Sequence, residues 1–80
     1  MRIAYSKSAS KSMMRLDTKL ATRISLAIDM LPSGDVKVMT GHNSRYRLRV
    51  GTYRILYSII DGTIVIDEIL PRGSAYKNKR

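Results

Sequence analysis

Tyr46-Arg47-Leu48-Arg49-Val50-Gly51-Thr52-Tyr53-Arg54-Ile55-Leu56-Tyr57 is the stretch that decides the fold. Successive side chains of a strand point to opposite faces. Tyr46, Leu48 and Val50 therefore share one face, and Arg47 and Arg49 share the other, with Arg45 just ahead of them. Gly51-Thr52 fits a two-residue turn with glycine first, as type II′ geometry requires. That turn pairs Val50 with Tyr53 and Arg49 with Arg54. The apolar face then carries Leu48, Val50, Tyr53, Ile55, Tyr57 and Ile59, and Arg47, Arg49 and Arg54 lie opposite it. Like charges directly across two strands destabilise a sheet. An anion between them reverses that sign.

Outward from the hairpin, the β pattern continues. Tyr53 to Ile60 and Thr63 to Leu70 are rich in β-branched and aromatic residues, and Asp61-Gly62 between them is a strong type I′ turn signal. Pro71 and Gly73 break the last strand. Upstream, Val36 to Thr40 alternates, and Gly41 to Ser44 reads as a loop. The first half has a different period. Residues 2–5 suit a short first strand, and Lys7 to Arg15 a short helix. Asp17 or Thr18 can cap a second helix by accepting from unpaired backbone N–H groups. Leu20, Ile24, Ala27, Ile28 and Leu31 form its apolar stripe. Pro32-Ser33-Gly34 ends it. The expected fold class is α+β: an N-terminal helical hairpin packed on one face of a small twisted antiparallel sheet, with the other face at least partly open.

Eighty residues make one domain, residues 1–80, with a thin core and a basic tail over 77–80. Fifteen Lys and Arg against six Asp and Glu leave a net charge of +9. So large an excess on so small a surface calls for a polyanionic partner. The sequence has no cysteine, which excludes disulfides and thiolate metal sites. One histidine and six acidic residues make a metal cage unexpected, and no cofactor is implied. No segment approaches the roughly 20 apolar residues of a membrane span. The first residues, Met1 to Lys7, do not read as a secretory signal. The expected location is the cytoplasm.

The hairpin resembles the "YRLRVGxYRxxY" hallmark of RelE/ParE-type toxins. Leu70-Pro71-Arg72-Gly73-Ser74-Ala75-Tyr76-Lys77 is similar to the family's closing strand, and the opening helix region also resembles the family's first helix. The resemblance implies the toxin of a type II toxin–antitoxin system. RelE-like members cut mRNA on the ribosome without a metal, by attack of the 2′-hydroxyl on the neighbouring phosphate. It implies three partners: a cognate antitoxin with an acidic or amphipathic segment, mRNA on the ribosome, and operator DNA through the antitoxin complex. ParE-type members, which bind DNA gyrase and cut no RNA, share the scaffold. An inactive, purely regulatory homologue is the third alternative.

Carried onto this chain, the resemblance makes Arg54 the phosphate holder and Arg72 the arginine after the last strand. Tyr76 becomes the C-terminal tyrosine that stacks on a base or helps proton transfer. Arg45, Arg47, Arg49 and Lys77 become phosphate contacts. Pro71 stands where many members have histidine or lysine, so one proton-transfer group is missing there. Arginine cannot act as a base, but it can stabilise charge developing on a pentavalent phosphate. Nearby arginines would favour the phenolate of Tyr76. His42 is expected to be a solvated loop residue. Tyr5, Tyr46, Tyr53 and Tyr57 are expected to pack, and Met13 and Met14 to fill the core beneath the helices.

Overall fold

The computed structural model describes residues 2–39 and 45–71. The chain runs β1 (Arg2–Tyr5), α1 (Lys7–Arg15), α2 (Thr18–Asp29), β2 (Val36–Val38), β3 (Arg45–Val50), β4 (Tyr53–Ile60) and β5 (Thr63–Pro71). The strands form one five-stranded sheet in the order β1-β5-β4-β3-β2. β2 to β5 make the antiparallel meander that the turn signals predict. β1 pairs with β5 in parallel, so the sheet is mixed. The two helices lie between β1 and β2 in the chain and cover one face, which gives the α+β architecture.

Local chemistry accounts for the helix ends. Ser6 caps α1: its hydroxyl oxygen accepts from Ala9 N at 3.0 Å. Asp17 caps α2, its Oδ1 accepting from Leu20 N at 2.8 Å. Each cap satisfies one of the donors that a helix start leaves without an internal partner. Both hairpin turns have the backbone their residues demand. Gly51 takes φ +59° and Thr52 does not follow it into positive φ, which is the type II′ pattern. Asp61 and Gly62 both have positive φ, at 48° and 76°, the type I′ pattern.

The core is built as the alternation requires. Ile24, Ile28 and Leu31 from α2, and Ala9 from α1, pack on Leu48, Val50, Ile55, Tyr57, Ile64, Ile66 and Ile69. Ile3, Met13, Leu20, Ala27, Tyr46, Tyr53 and Ile59 border this cluster half-buried. Tyr46 stacks on Tyr57 with ring centroids 5.3 Å apart and planes 16° from parallel. Two packing expectations fail. Met14 is 84% exposed, because it follows Met13 by one residue and so turns about 100° away from the buried stripe. Tyr5, on the edge strand, remains 37% exposed. The Gly41–Ser44 loop with His42, Gly73 and the 77–80 tail lie outside the described residues.

Ile28 and Ile55 have no solvent exposure. Truncation of either to alanine is expected to cost about 2–5 kcal/mol through lost burial and the cavity left behind. Urea denaturation of Ile28→Ala and Ile55→Ala measures it. The Asp17→Ala change should cost about 1 kcal/mol by the same assay.

Candidate nucleic-acid interface

The face of the sheet away from the helices holds the candidate site. The β3–β4 register pairs Arg45 with Ser58, Arg47 with Leu56 and Arg49 with Arg54. The like-charge pair expected from the turn is therefore present. β2 adds a further cation, because Lys37 pairs with Arg47 and shares its face. Lys37, Arg45, Arg47, Arg49 and Arg54 thus form a basic field over three adjacent strands. Arg45 and Arg49 are exposed; Arg47 and Arg54 are half-buried.

The Arg47 side chain is half-buried. Its Nε is buried with no hydrogen-bond partner among the described residues. An unmet buried donor is costly and often marks a place where a ligand completes the bonding. Arg49 is held differently. Its Nε donates to Asp35 Oδ2 at 3.1 Å, and its backbone N–H donates to the Asp35 carbonyl at 3.0 Å. Both side chains of this ion pair are about half exposed, at 52% and 53%. Such a pair is worth about 0–1 kcal/mol. It orients the guanidinium without locking it, and an incoming phosphate can compete for the donor.

Two carboxylates lie on the β5 side of the same face, where the ladder is irregular. Leu56 pairs with Glu68 but Tyr57 pairs with Ile66, so Asp67 is the extra residue of a β-bulge. Ser58, 8% exposed, donates its hydroxyl to Asp67 Oδ2 at 2.7 Å. The carbonyl of Asp67 accepts from the Ser6 hydroxyl at 2.7 Å. The bulge thereby ties the cap of α1 to the last strand. Glu68 is exposed and sits across Leu56 from Arg47. A cavity of about 310 Å³ lies at the hairpin end, lined by Arg49, Gly51, Thr52, Tyr53 and Arg54.

The structure thus brings together Arg45, Arg47, Arg49 and Arg54, as the alternation predicts. Arg72, Tyr76 and Lys77, assigned by resemblance, lie outside the described residues. Sequence reasoning missed Asp35, Lys37, Asp67 and Glu68. Lys37 was legible, being the outward residue of Val36-Lys37-Val38. Asp35 pairs with Arg49 only through tertiary register, while the bulge leaves a local trace: two consecutive acids, Asp67 and Glu68, interrupt the alternation between the buried Ile66 and Ile69.

No family model matches the chain. The toxin RelE3 of Methanocaldococcus jannaschii is 29% identical over 84 residues, covering 95% of this chain and 96% of that protein. The RelB–RelE antitoxin–toxin complex from Methanococcus jannaschii has a chain that superposes with a TM-score of 0.82 at 26% identity, covering 96% of this chain and 99% of that one. The archaeal RelE–RelB complex from Pyrococcus horikoshii gives 0.76 at 29% identity, covering 90% and 94%. In fold and in sequence, over nearly its whole length, this chain is similar to RelE toxins.

The tyrosines report on folding. Burial, and then the neighbouring Tyr46, raise the pKa of Tyr57 above its ordinary value. Burial and Asp29 raise that of Tyr5, against a hydrogen bond with Ser25 that lowers it. A raised folded-state pKa means stability that is whole below the unfolded value of about 10 and is lost as pH climbs through the folded value. Urea midpoints measured between pH about 9 and about 11 should therefore fall with pH, and Tyr57→Phe should flatten the fall in part.

Proposed function

We propose that the chain is the toxin of a type II toxin–antitoxin system and acts as a metal-independent, ribosome-dependent mRNA endonuclease. The observation that carries this is the cross-strand pair of Arg49 and Arg54 on an open sheet face, with Arg47 beside it. Guanidinium groups donate two parallel hydrogen bonds to a phosphate, and their charge is permanent. Five cations on three strands suit the sugar–phosphate backbone of RNA. The kinship with RelE toxins supports the same reading.

In the proposed reaction the 2′-oxygen bonds to the adjacent phosphorus and the bond from phosphorus to the 5′-oxygen breaks. Arg54 holds the scissile phosphate, and Arg47 and Arg49 fix the strand around it. Arg45 and Lys77 contact flanking phosphates. Arg72 stabilises the pentavalent charge, and Tyr76 transfers a proton or stacks on a base. Preorganised positive charge aimed at a developing oxyanion is among the largest catalytic effects. The chemistry would take place in the cytoplasm. A cognate antitoxin, such as the RelB chains in the related complexes, would neutralise the toxin by covering the basic face or the helices. Operator DNA would be reached through that complex. No described helix is long and apolar enough to cross a membrane.

Induction in cells, followed within minutes by primer extension on abundant mRNAs, tests the proposal. Cuts inside coding regions that depend on translation are expected. Arg54→Ala should reduce them by about a hundredfold or more, as for loss of one oxyanion donor, while the protein unfolds at the wild-type temperature. Growth arrest with intact mRNA would move the target to DNA gyrase. Undiminished cutting by folded Arg54→Ala would remove that residue from the site.

A further inference from the structure

Arg23 has no part in the sheet face, yet it reaches the hairpin. It stands on α2, in the helical layer, and is exposed. Its guanidinium lies flat against Gly51 at the tip of the β3–β4 turn. A methyl group on Gly51 would sit 3.3 Å from Arg23 Nη1, 3.5 Å from Cζ and 3.6 Å from Nη2. Those near-equal distances describe a guanidinium plane laid over the turn. Gly51 therefore meets two demands: the positive φ of the turn and room for this side chain. Among the described residues no carboxylate forms an ion pair with Arg23. The nearby carboxylate, Asp17, accepts the backbone N–H of Leu20.

The position of Arg23 joins two cavities. On one side of Gly51 is the cavity of about 310 Å³ lined by Arg49 and Arg54. Arg23 itself lines another, of about 350 Å³, together with Asp17, Lys19 and Leu20. Positive charge thus continues from Arg47, through Arg49 and Arg54, over the turn to Arg23 and Lys19. We propose that this is the path of the RNA: the strand leaves the sheet face over the Gly51-Thr52 turn, and its next phosphate is bound by Arg23, with Lys19 beyond it. The inference rests on the sheet face being the RNA-binding face, and it extends the bound length of RNA onto the helical layer.

The test uses the full chain and a short fluorescein-labelled single-stranded RNA, with affinity measured by anisotropy over a range of salt concentrations. A contact to one phosphate of a single strand contributes about 0.7 to the slope of log affinity against log salt. Arg23→Gln should lower that slope by about this amount and weaken binding roughly three- to tenfold at low salt. Lys19→Gln should act in the same direction and less. Arg2→Gln is the control for net charge, because Arg2 lies on β1 opposite Thr63, at the far end of the sheet from Gly51. It should leave the slope within error of wild type. Arg54→Ala should weaken binding in the same assay. An unchanged slope for Arg23→Gln beside a weakened Arg54→Ala would overturn the path over the turn alone. Equal losses for Arg2→Gln and Arg23→Gln would also overturn it, by reducing the effect to net charge. No loss for Arg54→Ala would instead overturn the sheet-face reading beneath it. Thermal unfolding of each variant keeps loss of fold apart from loss of contact.

Discussion

The pleat of one hairpin divides this protein into a core and a surface. Along β3 the apolar Leu48 and Val50 and the basic Arg47 and Arg49 alternate without a break. A slip of one residue would drive the arginines into the helices and the core residues into water. The register is therefore held by burial on one side, and the Gly51-Thr52 turn pins it from the end. Once Leu48 and Ile55 are committed beneath α2, Arg49 and Arg54 have no choice but to face each other. The repulsion between them is offset by the core, and an anion between them would reverse its sign. Stability and the proposed binding are thus set by the same alternation, on opposite faces of the same strands.

Much of this was legible because the determining signals are local. Strict alternation gave the faces of β3 and β4. Gly51 first in its turn, and Asp61-Gly62 in the next, announced turn types that need positive φ at those residues. Asp17 and the Leu20-Ile24-Ala27-Ile28 stripe announced α2 and its buried side. The less legible features depend on contacts distant in sequence. Nothing in residues 2–5 says that β1 runs parallel to β5, since that follows from the helical crossover between β1 and the meander. Asp35 becomes the partner of Arg49 only when β2 docks at the edge. Asp67 is an extra residue in the ladder, and it places Ile66 in the core and Glu68, two residues on, on the opposite face.

The bulge at Asp67 shows how the polar groups of the open face are managed. Ser58 and Asp67 bond each other, and Ser6 closes the group from the helix side. A hydroxyl buried this far needs a partner, and this one has it. The arginines are treated differently. Arg49 is steered by a half-exposed carboxylate, while the Nε of Arg47 is buried with no acceptor among the described residues. A surface assembled for stability alone would close both in the same way. The asymmetry fits a face whose bonding is completed by a ligand.

The central claim is that this face binds the RNA backbone, and arginine side-chain NMR tests it most directly. The Nε–Hε signals of the chain can be followed while a short single-stranded RNA is added. The account requires the signals of Arg47, Arg49 and Arg54 to shift together and to saturate at one concentration, with Arg2 and Arg15 nearly still. Shifts confined to the helical arginines, with Arg47, Arg49 and Arg54 unmoved, would contradict it.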